Sequence, residues 1–199
     1  MGFVVACIGC NICCERKNII FVESMKEKSQ GQNKRSMLTK ITKTNAARLL
    51  DKAKITYELI PYKVDENNLA ATHVAEQLGE NVAQVFKTLV LKGDKTGIFV
   101  CVIPGDEEVD LKLAAKASGN KSAALIPMKE LLPLTGYIRG GCSPIGMKKS
   151  FPTYIHSTCL TFGQIYVSAG IRGLQIKVAP ADLIRYTGAV VTNLVAAVC

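Results

Sequence analysis

The sequence predicts a mixed α/β (α+β) domain, a single unit with a curved mixed sheet, barrel-like and surrounded by short helices. Three observations lead there. Two strongly apolar runs, residues 85–92 and 98–103, flank the polar loop Gly93-Asp94-Lys95-Thr96-Gly97, which has the length of a hairpin connection. The helical spacings are short and interleave with hairpin-connected strands, which argues against a doubly wound parallel sheet. A chain of 199 residues, 48% hydrophobic and 21% charged, has the size and composition to bury one core.

Each element has a local cause. Ala46, Ala47, Leu49, Leu50 and Ala53 recur at helical spacing behind Thr44, whose hydroxyl suits an N-cap, so a helix is expected to about residue 54. Residues 57–63 alternate as a strand interrupted by Pro61, which donates nothing to a ladder and so belongs at an edge or bulge. Residues 72–78, closed by Gly79, read as a short helix. The hairpin pair forms the core. Asp110 caps a helix through Ala117 that stops at Gly119, and Pro127 opens another through Leu132. Short strands near Tyr154, over residues 164–168 and over residues 174–178, a helix over residues 180–186 and a strand near Ala189 complete the domain.

Residues 1–36 read as a cysteine-rich leader and flexible linker outside the fold, with the working domain running over 37–199. Cys7, Cys10, Cys13 and Cys14 crowd together, whereas Cys101, Cys142, Cys159 and Cys199 are scattered. The C-x2-C-x2-C spacing opens a ferredoxin ligand run, but Lys17 and Asn18 stand where that run needs Cys-Pro. A zinc or cluster site there stays an alternative; the expectation is no metal and no cofactor. Val4-Val5-Ala6-Cys7 lacks the cationic region of a lipoprotein signal, and Ala6 stands where Met1-Gly2 acylation needs Ser or Thr. No apolar run approaches the roughly 18 residues of a membrane span, so a cytoplasmic, membrane-free protein is expected.

Lys and Arg total 25 against 16 Asp and Glu, a net +9. This excess suits a polyanionic partner such as RNA or a phosphate, and equally a soluble basic protein with no such partner. Lys87 lies mid-strand with Val85, Leu89 and Leu91 on one face and Phe86, Thr88 and Val90 on the other. Both faces are apolar, so its ammonium either snorkels to an edge or enters a cavity where an anion or carbonyl meets it. Gly140-Gly141-Cys142-Ser143-Pro144-Ile145-Gly146 specifies a tight loop whose successive N–H groups suit an anion nest or oxyanion hole, or an ordinary turn. Lys148 and Lys149 follow it. Ser168-Ala169-Gly170-Ile171-Arg172-Gly173 is a second glycine-punctuated turn, or a hairpin. His73 and His156 are the only histidines and lack ligand-spaced partners; nucleophile-elbow and P-loop motifs are absent. Metal hydrolysis and nucleotide-triphosphate chemistry are not expected. A Cys142 nucleophile with a histidine base stays open, though no helix N-terminus is at hand to ionise the thiol.

Three ordered motifs, F-K-T-L-V from Phe86, G-Y-I-R-G-G-C-S-P-I-G-M-K-K from Gly136 and Y-V-S-A-G-I-R-G-L from Tyr166, make the chain resemble the YbaK/EbsC family from about residue 41 onward. The resemblance is to its Cys-tRNA(Pro) deacylase branch, which is similar to the editing insertion of bacterial prolyl-tRNA synthetases. It implies trans-editing of mischarged aminoacyl-tRNA, with prolyl-tRNA synthetase as partner and no metal. It places Lys87 near the tRNA 3′ end and the Gly141 amide near the acyl carbonyl, as the catalytic pair. Residues 140–144 match its G-x-x-x-P loop, so Gly140, Cys142, Ser143 and Pro144 join Tyr62, Thr88 and Ser168 as substrate-binding residues. It further implies that the nucleophile is the thiol of the substrate's own cysteine. Gln175 departs from the pattern, because some relatives carry an acid there. A non-catalytic tRNA- or synthetase-binding module is the competing reading.

Overall fold

Thr44 accepts the Ala47 N–H and starts the first helix, α1 (Asn45–Lys52); Lys54, at φ 56°, then turns the chain out of the helical path. The computed structural model describes residues 42–196, so the expected leader, its cysteine cluster and Cys199 lie outside the described residues. In chain order there follow β1 (Tyr57–Pro61), α2 (Ala71–Leu78), β2 (Phe86–Gly93), β3 (Gly97–Pro104), α3 (Leu111–Ala117), β4 (Ala123–Leu125) and α4 (Met128–Thr135). Then come β5 (Thr153–His156), β6 (Ile165–Ser168), β7 (Leu174–Val178), α5 (Pro180–Thr187) and β8 (Val190–Thr192).

The mixed α/β architecture is present, but the strands form two sheets where one curved sheet was expected. β1, β7 and β6 make an antiparallel sheet with β7 in the middle; β4, β2, β3, β5 and β8 make the other, antiparallel through β3 and parallel beyond it. The sheets meet in a single bridge, Val85 with Tyr166. A 3-10 turn over Val82–Gln84 ends immediately before that residue, so no strand precedes it to extend the bridge, and β2, which follows it, does not pair with β6. Among the described residues no ladder closes the strands into a barrel.

Burial on both faces explains why the hairpin is apolar at most positions. Phe86, Val90, Val100 and Val102 pack in the main core with Val167 and Ile176 from the three-stranded sheet and with Leu50 and Leu183 from the flanking helices. Leu91, Phe99, Cys101 and Ile103 point the other way, onto Ala114 of α3 and Leu194. A strand pair buried on both faces needs apolar residues at every position. Leu194 is tied in place by its main chain. Its N–H donates to His156 Nδ1 at 3.0 Å, and its carbonyl accepts the Asp110 N–H at 2.7 Å.

Three departures from the sequence reading have a visible cause. Pro61 ends β1, which pairs only with β7 and is therefore an edge strand. α4 runs three residues past Leu132 because Pro133 removes one helical hydrogen bond only, while Thr135 Oγ1 donates to the Leu131 carbonyl and Gly136, at φ 83°, closes the end. β4 was not expected. It exists because Asn120 plugs the hairpin end beside it: Oδ1 accepts the N–H groups of Lys95 and Thr96, both at 2.9 Å, and Nδ2 donates to Thr96 Oγ1 at 2.7 Å. A Cβ on Gly93 would lie 2.2 Å from that carboxamide, so only glycine fits. Asn120→Ala leaves two loop N–H groups unpaired and should cost about 2–3 kcal/mol. The measurement is the midpoint of urea unfolding, and an unchanged midpoint would refute the role.

Candidate active site

The site follows from an incomplete strand pairing. β2 pairs with β3 along its whole length, but on its other edge β4 reaches only as far as Leu91, with the Ile126 N–H donating to the Val90 carbonyl at 3.2 Å. Residues 86–89 face no strand on that edge. Main-chain groups alternate between the two edges, so Phe86 and Thr88 turn their N–H and C=O the same way as Val90, into the gap. The gap is a cleft of about 580 Å³. That is room for one small ligand group. Tyr62, Lys87, Thr88, Gly140, Cys142 and Ser168 all line it. Gly141, Ser143 and Pro144 are buried and do not reach its surface.

Lys87 takes the cavity alternative. Its half-buried Nζ donates to the Gly105 carbonyl at 3.0 Å. Burial lowers its pKa, and the carboxylates of Glu108, Asp106 and Glu107 act against that shift. Gly105 fits because a Cβ there would stand 2.7 Å from Ala71 Cβ and 2.9 Å from the Val85 carbonyl. The glycine and the acidic run after it were missed in the sequence; the signal was Gly-Asp-Glu-Glu at the exit of the strand that pairs with the lysine.

The first glycine loop opens with a β-turn. The Gly141 N–H donates to the Ile138 carbonyl at 3.0 Å, and Gly140 takes the left-handed position at φ 79° that defines a type II turn. Arg172 Nε donates to the Arg139 carbonyl at 3.0 Å from the second glycine turn. A Cβ on Gly141 would sit 3.3 Å from the backbone of Ile171 and Arg172, so the two turns are packed main chain to main chain. The amide of Gly141, which the resemblance places near the acyl carbonyl, is thus engaged within the turn. The next amides, those of Cys142 and Ser143, have no acceptor among the described residues. Ser143 Oγ accepts the Ile145 N–H, and Tyr137 OH donates to the Ile145 carbonyl, which stiffens the loop.

Burial pushes the Cys142 thiol up to about 12, so it is protonated at neutral pH. Neither histidine lines the cleft; His156 is occupied by Leu194. Two buried side-chain oxygens in the cleft, Thr88 Oγ1 and Gln175 Oε1, have no hydrogen-bond partner among the described residues. Gln175 stands opposite Ser168, whose Oγ accepts the Gly170 N–H at 3.3 Å. Orphaned polar atoms of this kind ask for a ligand or water. Among the described residues no three His, Cys, Asp or Glu side chains are grouped to hold a metal.

Residues 65–186 match the aminoacyl-tRNA editing domain. The chain belongs to that family. It is 50% identical over 145 residues to EbsC of Enterococcus faecalis, named as a Cys-tRNA(Pro)/Cys-tRNA(Cys) deacylase, an alignment covering 73% of this chain and 88% of that one. It is 32% identical over 82 residues to a proline–tRNA ligase of Fervidobacterium nodosum, covering 41% of this chain and 14% of the ligase. A crystal structure described as a trans-editing enzyme for prolyl tRNA synthetase superposes with a TM-score of 0.64 at 25% identity, covering 71% of this chain and 87% of that one. The family suggested by the three motifs is thus the family found, and no helix among the described residues is long and apolar enough to cross a membrane. Within this editing domain the Cys142 thiol should resist iodoacetamide at about pH 8 until the protein is unfolded in urea, since alkylation requires a thiolate. Peptide mass spectrometry reads the result, and rapid modification of the folded protein would contradict the buried, protonated state.

Proposed function

We propose that this chain is an aminoacyl-tRNA deacylase that clears mischarged cysteinyl-tRNA(Pro) in trans to prolyl-tRNA synthetase, in the cytoplasm where tRNA is charged. One observation carries the reading: the open edge of β2 gathers an ammonium, an uncommitted amide and two unpartnered side-chain oxygens around one small cleft that no histidine lines and whose thiol is protonated. Such a cleft has donors for an oxyanion and lacks an activated protein nucleophile. The names of the relatives in the two comparisons agree with it. The need is physical as well. Pockets separate side chains that differ by about a methylene with only about 1–3 kcal/mol, so a synthetase built for proline lets cysteine through.

In this reading the ester carbonyl accepts the Cys142 N–H, which takes the part expected of Gly141, and Gly140 and Gly141 hold that amide in position together with Ser143 and Pro144. Losing one such donor costs about 2.7–4 kcal/mol. The substrate's sulfur attacks its own carbonyl carbon. The S–C bond forms, the C–O bond to the ribose breaks, and the thiol proton ends on the ribose oxygen; water then opens the small cyclic thioester. Lys87 meets the charge that builds on the terminal ribose oxygen as the ester breaks. Tyr62, Thr88, Ser168 and Gln175 wall the acyl group, and a neutral amide at Gln175 meets the substrate ammonium by its dipole where some relatives use a full charge. The two sheets, joined at Val85 and Tyr166, act as one curved, barrel-like wall behind it.

Four measurements test this. Cysteinyl-tRNA should lose its ester while seryl- and alanyl-tRNA are spared; equal cleavage of all three would defeat the substrate-thiol step. Lys87→Ala should slow deacylation by about 1.5–3 kcal/mol, roughly 10- to 150-fold, with an unchanged circular dichroism spectrum. Cys142→Ser, which keeps the main chain, should slow it by less than about tenfold, and a larger loss would hand the attack to the protein thiol. Residues 37–199 carry the activity in this proposal, so deleting residues 1–36 should leave turnover intact.

A further inference from the structure

Beside the cleft lies a second hollow of about 390 Å³. Leu69, Met128, Leu131 and Arg139 line both, so the two are continuous; Leu132, Ile138 and Arg172 belong to the second alone. Its wall is apolar and open, with Met128, Leu132 and Ile138 exposed at 57%, 50% and 45%. Its rim is cationic. Arg172 is fastened to the Arg139 carbonyl by Nε, and its Nη1 lies 3.7 Å from the exposed Glu66. The stem of Lys148 lies against Gly136 at the end of α4. Neither arginine has a part in the ester chemistry above.

The charges around the cleft are polarised. Asp106, Glu107 and Glu108 stand near enough to Lys87 to act on its charge, whereas Arg139 and Arg172 line the second hollow. A polyanionic strand that delivers an ester to the cleft is therefore driven out over the arginines. We propose that this groove holds the unpaired nucleotides on the 5′ side of the esterified ribose, phosphates on the two guanidinium groups and base faces on the Met128–Leu132–Ile138 wall. Single-stranded RNA is held in this manner elsewhere, by cationic tracks combined with flat or apolar surfaces for the bases, and arginine serves both parts because its planar head pairs with phosphate and stacks. The inference rests on the deacylase reading and adds the path of the RNA.

The test uses the full chain and an uncharged RNA oligonucleotide ending in the tRNA 3′ sequence CCA, titrated at increasing salt. Arg139→Ala and, separately, Leu132→Glu should each weaken binding at least about fivefold, and Arg139→Ala should flatten the slope of log K against log salt by about 0.7 for each phosphate that the side chain no longer neutralises. Wild-type affinity and slope in both variants would overturn the proposal. So would unchanged RNA binding together with lost binding to purified prolyl-tRNA synthetase, which would give the groove to a protein. Failure of the deacylase reading looks different: arginine-dependent RNA binding by the wild-type chain that leaves a cysteinyl ester intact.

Discussion

The unpaired edge of β2 is the constraint on which the rest depends. A central strand normally satisfies its main chain on both sides, and an edge left open inside a fold is costly unless something answers its polar groups. Here β4 stops at Leu91 and β6 is bridged only to Val85, so a four-residue gap in the pairing survives between the two sheets. The gap sets the position of the cleft and the direction of the Thr88 main chain. It also explains why the sheets stay separate: continued pairing of β6 with β2 would fill the space a ligand needs.

Around that gap the chain works with main-chain groups more than with reactive side chains. Two glycine turns pack backbone to backbone, Arg172 fastens one to the other, and Tyr137 braces the loop from beneath through the Ile145 carbonyl. The amide left over at Cys142 is rigid for those reasons, and in the proposed mechanism that rigidity would let a single donor discriminate between a planar ester and a charged intermediate. Placing the cation on β2 itself keeps it at a fixed height above the same edge.

Much of this was legible in the residues. The hairpin announced itself through a double-faced apolar run and a polar loop, and Lys87 stood out because nothing around it could solvate an ammonium. The glycine loops were visible by composition. What was not legible is which amide is available, because that depends on closure of a turn from Ile138, outside the Gly-Gly pair that drew the eye. β4 was hidden for a related reason: Ala123, Ala124 and Leu125 have no strand preference of their own and are held by a carboxamide several residues away. The two sheets meet in one bridge at Val85 and pair no further along β2, and no periodicity reports such an event.

The anchoring of the C-terminal segment leads somewhere separate. Leu194 hangs from a lone pair on His156, and a proton competes for that same lone pair. Burial depresses the imidazole's affinity for the proton, so the folded chain keeps the neutral ring below the pH at which an unfolded chain would have charged it. The fastening is therefore at full strength above the usual imidazole range and is drained as acid is added. Among the described residues, the stretch held at Leu194, which covers the second core behind the hairpin, therefore loses a fastening in acid.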